Sequence, residues 1–193
     1  MPTPGTVHCS NVSVDRRVGE LWEEKFCDLL PSGTAFIRHQ KDRHGSAVYG
    51  VVEPNGTIRW RPSPDVTVLH GRNITTHHEI KHKNAHKGLL FGLEKYRIES
   101  LMDFRKKTGQ DVYYTIHDHD CSGGRHSLTN DIKHWVTQTI EALSKDCDDA
   151  FQCQTWRNGA RVMEMTMFWH RSRFDAFEDV LDNIVHFASR GDL

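Results

Sequence analysis

Two carboxylates and an ammonium stand at a spacing that chemistry can use: Asp65, preceded by Pro64, and the run Glu79-Ile80-Lys81. In an extended strand alternate side chains share a face, so Glu79 and Lys81 point the same way. An antiparallel neighbour about 4.8 Å away brings Asp65 beside Glu79. Carboxylates that close repel, and a hard cation is the usual remedy. Asp65, Glu79 and the backbone carbonyl of Ile80 form an all-oxygen set suited to Mg²⁺ or Mn²⁺, with water in the remaining positions. Lys81 then lies beside the metal water, where as an ammonium it helps orient that water or stabilises charge developing on a phosphate, and as a neutral amine it helps deprotonate the water. Phosphodiester hydrolysis makes that demand.

The elements that must position these residues follow from periodicity. Asp15 reads as the cap of a helix over Arg16 to Leu30, with Leu21, Trp22, Phe26, Leu29 and Leu30 at helical spacing and Pro31-Ser32-Gly33 as the stop. Strands are expected at Ala35 to Arg38, at Ala47 to Val52 and, after the tight turn signalled by Asn55-Gly56, at Thr57 to Trp60. Asp65 to Leu69 and Ile74 to Lys83 read as two more, the second with one plainly polar face. Leu93 to Lys107 reads as a helix closed by Gly109, and Asp111 to His117 as a strand. Beyond these come a helix over Asn130 to Ser144, a hairpin about Arg157-Asn158-Gly159, a strand over Val162 to His170 with Met163, Met165 and Met167 on its buried side, and a helix over Asp175 to Ala188. No linker, low-complexity stretch or repeat divides the chain, so the expectation is one α/β domain over 1–193, with a frayed start over 1–14, a core over about 15–120 and a C-terminal extension over about 121–193.

With a helix before it and a helix and strand after, the Pro64-Asp65 and Glu79-Ile80-Lys81 pattern resembles the PD-(D/E)XK nuclease superfamily over roughly Arg16 to Asp118. The resemblance implies a restriction endonuclease-like core, α-β-β-β-α-β, here followed by a helix, β-hairpin and helix. It implies a Mg²⁺-dependent endonuclease or exonuclease acting on DNA, with Mn²⁺ as a substitute. Asp65 and Glu79 become metal ligands with the Ile80 carbonyl, and Lys81 the catalytic lysine. Many members add a carboxylate from the first helix; Glu23 fits best and Glu20 is the reserve. The alternative is the same fold without hydrolysis, as a DNA-binding or assembly subunit. The tripeptide alone is weak: Glu23-Glu24-Lys25 and Asp131-Ile132-Lys133 repeat it, but on expected helices, where residues i and i+2 do not share a face.

Lys83, Lys87 and Arg97, with His77 on the Glu79 face, read as a local set of phosphate contacts. The set must be local because 25 Lys+Arg against 26 Asp+Glu leave a formal net charge of −1, with no global pull toward nucleic acid. Fourteen histidines are many for 193 residues. The run His117-Asp118-His119-Asp120-Cys121 mixes three metal-ligand types, although its spacing matches no zinc finger. Five scattered cysteines without a Cys-x-x-Cys pair fit free thiols and an intracellular, cytoplasmic setting. No apolar run approaches the roughly 20 residues of a spanning helix, and the first residues lack the pattern of a signal peptide. The helix from Asp175, with Phe177, Val180, Leu181, Ile184, Val185 and Phe187, offers an apolar face for a homodimer.

Overall fold

A computed structural model describes residues 12–42, 46–71, 74–86, 88–118, 129–157 and 160–190. Helix α1 runs over Val12–Asp28, and strands follow at β1 (Ala35–Arg38), β2 (Gln40–Lys41), β3 (Ala47–Val52), β4 (Ile58–Pro62), β5 (Val66–His70), β6 (Ile74–Lys83) and β7 (Leu90–Glu94). Helix α2 (Lys95–Thr108) leads to β8 (Val112–Asp118), β9 (Trp135–Thr139) and α3 (Ile140–Lys145). The chain closes with β10 (Asp149–Arg157), β11 (Ala160–His170), β12 (Asp175–Ala176) and α4 (Phe177–Arg190). It is a mixed α/β protein around a mixed six-stranded sheet of order β1-β5-β6-β8-β9-β12, in which β6 and β8 pair in parallel. Two three-stranded sheets, β10-β11-β7 and β2-β3-β4, flank it.

Each face of the central sheet has its own core. Val66, Val68, Ile80 and Trp135 pack with Trp22 and Phe26 of α1 and with Phe177 and Leu181 of α4. Val112, Tyr114 and Ile116 pack on the opposite face with Ile98, Leu101 and Phe104 of α2 and with Leu143 of α3. The expected polar face of β6 is therefore corrected: Thr76 to Ile80 are all buried, because helices cover both sides of this central strand. Its polar side chains are paired inside the protein instead. His77 sits between Thr67 Oγ1 at 2.8 Å and Gln110 Oε1 at 2.7 Å, and His78 between Thr76 Oγ1 and Thr115 Oγ1, both at 3.0 Å.

Other boundaries move for identifiable reasons. Asp15 lies inside α1, which starts at Val12, so it is no cap; of the expected frayed start, 1–11 lie outside the described residues. Leu93 belongs to a strand, because Leu90–Glu94 pair with β11 before α2 begins. Gly109 does close α2, with φ +70° and its N–H donated to the Arg105 carbonyl at 2.8 Å. The helix expected from Asn130 is a 3-10 turn, then β9, then the short α3. Trp135-Val136-Thr137 is aromatic and β-branched, and pairing with β8 overrides the helical spacing. The C-terminal segment thus adds β9 and β12 to the central sheet. Met163 is corrected as well: it is 60% exposed at the far end of β11, while Met167 packs on the core. In α4, Phe177 and Leu181 are core, whereas Val185 and Phe187 are exposed. The Asn158-Gly159 turn lies outside the described residues, between paired strands β10 and β11. Cys27, Cys147 and Cys153 are free thiols; Cys9 and Cys121 lie outside the described residues. Among the described residues no helix is long and apolar enough to cross a membrane.

Candidate active site

The geometry begins with a register offset. Strand β5 starts at Val66, opposite His78, so β6 runs on past its antiparallel neighbour. The Ile80 N–H would have no strand partner on that side, and the Asp65 carboxylate accepts it through Oδ2 at 2.9 Å. The Asp65 backbone N–H donates to the His78 carbonyl at 2.9 Å, which fixes the residue beside β6. Because the N–H and C=O of a strand residue point to one side, the Ile80 carbonyl also turns toward Asp65. Glu79 and Lys81, one residue either side of Ile80, share the other pleat.

Lys81 joins the two acids: its Nζ is 2.7 Å from Glu79 Oε1 and 3.8 Å from Asp65 Oδ2. Glu23 comes from α1, where it is buried because Trp22 and Phe26 on either side pack into the core. Glu20, one turn earlier, lies on the cleft wall without that burial. Exposure is 1% for Glu79, 4% for Asp65 and 5% for Glu23, so these acids are withdrawn from water and must be paired. Lys41 of β2 meets two of them, with Nζ 2.7 Å from Glu23 Oε1 and hydrogen-bonded to Asp65 Oδ1. Arg97 of α2 grips the third: Nε donates to Glu79 Oε1 at 3.0 Å, Nη2 donates to Oε2, and Nη2 also donates to the Ser63 carbonyl at 2.7 Å. Arg38 also lies 3.8 Å from Glu23 Oε2 but is shared with Glu24 at 3.0 Å, so Lys41, Lys81 and Arg97 remain to balance the three acids. A cleft of ≈ 340 Å³ opens over part of this group, lined by Trp22, Glu23, Lys41, Asp65, Lys81 and His82 among others but by neither Glu79 nor Arg97.

Charge placement sets the protonation states. Burial alone would raise the Asp65 carboxyl, but Lys81, Lys41 and Arg97 hold it well below the usual carboxylate range. Burial alone would lower Lys81, but Glu79 and Asp65 raise it above an ordinary lysine. It stays an ammonium at any physiological pH. Glu23 is raised by burial and then by the Asp65 charge, which Lys41 only partly offsets.

Three of the expected phosphate contacts, Arg97, His77 and Lys83, turn into the protein. Arg97 is buried in its fork on Glu79, and His77 is buried against Phe104 with both ring nitrogens bonded. Lys83 turns inward and donates to the Gly92 carbonyl; burial lowers its pKa against the pull of Glu94. Lys87 lies outside the described residues. His82 and His117 stack on Trp22 with ring centroids 3.9 and 4.0 Å away, and their Nδ1 atoms are 2.9 Å apart. Asp118 pairs with Arg171, and the rest of the His117 to Cys121 run lies outside the described residues. Reasoning from sequence missed Lys41, which the small sheet brings in from a segment with no motif, and it misread Arg97, whose place became visible only with the packing of α2.

The donor chemistry at Asp65, Glu79, Glu23 and the Ile80 carbonyl is that of a hard divalent cation: all oxygen, anionic and at a cleft. Among the described residues no group of three or more His, Cys, Asp or Glu side chains is gathered closely enough to hold a metal ion. The acids are held by protein cations instead.

No protein-family model matches the chain, and no curated protein matches it. One solved structure to which it is similar is that of Hjc from Archaeoglobus fulgidus, a Holliday junction resolvase from an archaeal hyperthermophile. The two share 15% identity over 86% of this chain and 96% of that one, with a TM-score of 0.48.

Proposed function

We propose that this protein is a metal-dependent deoxyribonuclease that hydrolyses DNA phosphodiester bonds in the cleft over Asp65, Glu79 and Lys81. The observation that carries the reading is the buried group itself. Paired strands bring Asp65, Glu79 and Lys81 together, with Glu23 beside them through Lys41. Burying so many charges is a poor way to gain stability, since an apolar cluster of the same volume commonly does as well or better. A catalytic demand explains it. The resemblance in the sequence pattern, Pro64-Asp65 followed by Glu79-Ile80-Lys81, supports DNA as substrate.

Mg²⁺, or Mn²⁺ in its place, would be held by Asp65 and Glu79 with the Ile80 carbonyl, and Glu23, which meets Asp65 through Lys41 in the metal-free protein, would complete the set; the ion would supply charge stabilisation and an activated water. The residues do the rest. Asp65 stays ionised at every working pH. Lys81, held as an ammonium, orients a water or phosphate oxygen and stabilises negative charge as the phosphate is attacked; it does not take the proton. Arg97 fixes the Glu79 rotamer from behind.

The second reading, a DNA-binding or assembly subunit without hydrolysis, draws on the Arg97 fork, which engages both oxygens of Glu79. Cleavage of duplex, single-stranded, nicked and branched DNA with Mg²⁺ and with chelator separates the two. Mg²⁺-dependent cutting that is lost in Asp65→Asn supports the enzyme; tight binding without cutting on any substrate favours the subunit.

A further inference from the structure

Lys41 has no part in the chemistry just described, and yet its side chain is the more buried of the two lysines that line the cleft. It sits on a strand of two residues, pinned at both ends. The His39 N–H donates to the Asp65 carbonyl at 2.9 Å as the chain leaves β1. Ala47, its cross-strand partner, accepts the Ser63 N–H through its carbonyl at 3.0 Å. The β2-β3-β4 sheet is therefore tied to the segment just before Asp65, and it delivers Lys41 with a side chain only 10% exposed. The ammonium touches Glu23 on one side and Asp65 on the other.

We infer that Lys41 is a built-in counter-ion for the Glu23–Asp65 pair, one that holds the pair together without metal and gives up its place when a divalent cation binds. The inference rests on the nuclease reading. Charge counting motivates it. Arg38 reaches Glu23 only at 3.8 Å and is matched by Glu24 at 3.0 Å; Glu23, Asp65 and Glu79 are then balanced by Lys41, Lys81 and Arg97, so a divalent ion entering this buried group leaves two positive charges in excess. The repulsion is relieved when one resident cation leaves. Arg97 is locked by Glu79 and the Ser63 carbonyl, and Lys81 rises from the central strand onto Glu79. Lys41 alone bridges the two carboxylates from a peripheral sheet, on a flexible stem that lines the open cleft. Once displaced, the ammonium stays at the cleft wall, where a phosphodiester is the natural anion for it to meet. Lys41 is thus a positioning residue in the metal-free protein and sets the threshold for metal entry.

Calorimetric titration with Mn²⁺, paired with thermal unfolding in chelator and in Mn²⁺, tests this on the full chain. Lys41→Met is expected to bind Mn²⁺ at least about tenfold more tightly than wild type. It should also melt at a lower temperature in chelator and recover more of its Tm on adding Mn²⁺. Lys41→Arg keeps the charge and spans both carboxylates with a fork, so it should bind Mn²⁺ more weakly than wild type. If Lys41→Met does not fold, this variant carries the test. Wild-type binding with Lys41→Met no tighter, or Lys41→Arg equal or tighter, overturns the role of Lys41 and leaves the nuclease reading standing. Absence of Mn²⁺ binding in wild type and variants alike overturns the metal site and the inference with it.

Discussion

Arg97 shows how far the site depends on single partners. Its guanidinium satisfies both oxygens of a carboxylate that is 1% exposed, with Lys81 as the other cation on it. Arg97→Ala leaves Glu79 with Lys81 alone and strips the Ser63 carbonyl of its donor. A buried pair broken on one side typically costs about 3 to 5 kcal/mol. Urea unfolding is expected to show a loss of about 3 kcal/mol, whereas a loss under about 1 kcal/mol would mean that the fork is weakly coupled to the fold. Glu79→Ala should behave differently in function: metal binding and cleavage should fail together, because the cation loses an anchoring charge, and parallel Mn²⁺ titration and cleavage assays would reveal any separation of the two.

At the scale of elements, the tightest fit tested by a single methyl lies in β7. Gly92 faces Phe168 across the β7-β11 pair, and a Cβ there would meet the Phe168 ring at 2.5 Å. That ring is stacked on Phe151 at 4.4 Å and has little room to move. Gly92→Ala should therefore destabilise by about 1 to 3 kcal/mol, and an unchanged urea midpoint would refute the packing described. The same region marks where the sequence could be read and where it could not. β6 was legible to the residue, because a ten-residue run of β-branched and aromatic-like side chains with Glu79 and Lys81 in phase has one consistent strand reading. β7 and β9 were not, because Leu90–Glu94 and Trp135–Thr139 become strands only through partners far along the chain. That Asp65 and Glu79 come together at Lys81 was legible for the reason that made β6 so: strand period and a Pro-Asp boundary. Lys41 and the Arg97 fork were hidden because they reach the site through packing of a side sheet and a helix, which no local pattern encodes.

At the scale of the whole molecule, four buried or half-buried histidines shape the response to mild acid. Burial lowers the pKa of His39, His70 and His77, and that of His78 to about 3. These imidazoles stay neutral when folded and gain protons on unfolding below about 6.5, so stability present above that pH is lost as it falls. A fully buried imidazole such as His78 contributes a slope of about 1.4 kcal/mol per pH unit. Glu23 acts with the opposite sign, since its raised pKa favours the folded state at low pH and loses that contribution as pH rises. The histidines outnumber it. Urea midpoints should fall between pH 7 and pH 5, before most carboxylates titrate, and a flat profile over that range would contradict the buried neutral ladder. Lys81 is the place to test the proposed nuclease reading, because its ammonium sits between the two acids that would hold the metal. The decisive measurement is the single-turnover rate of DNA cleavage by Lys81→Ala at saturating Mn²⁺. A fall of about 10²-fold or more with metal binding retained is the expected result, and cleavage at the wild-type rate would contradict the assignment of the catalytic site.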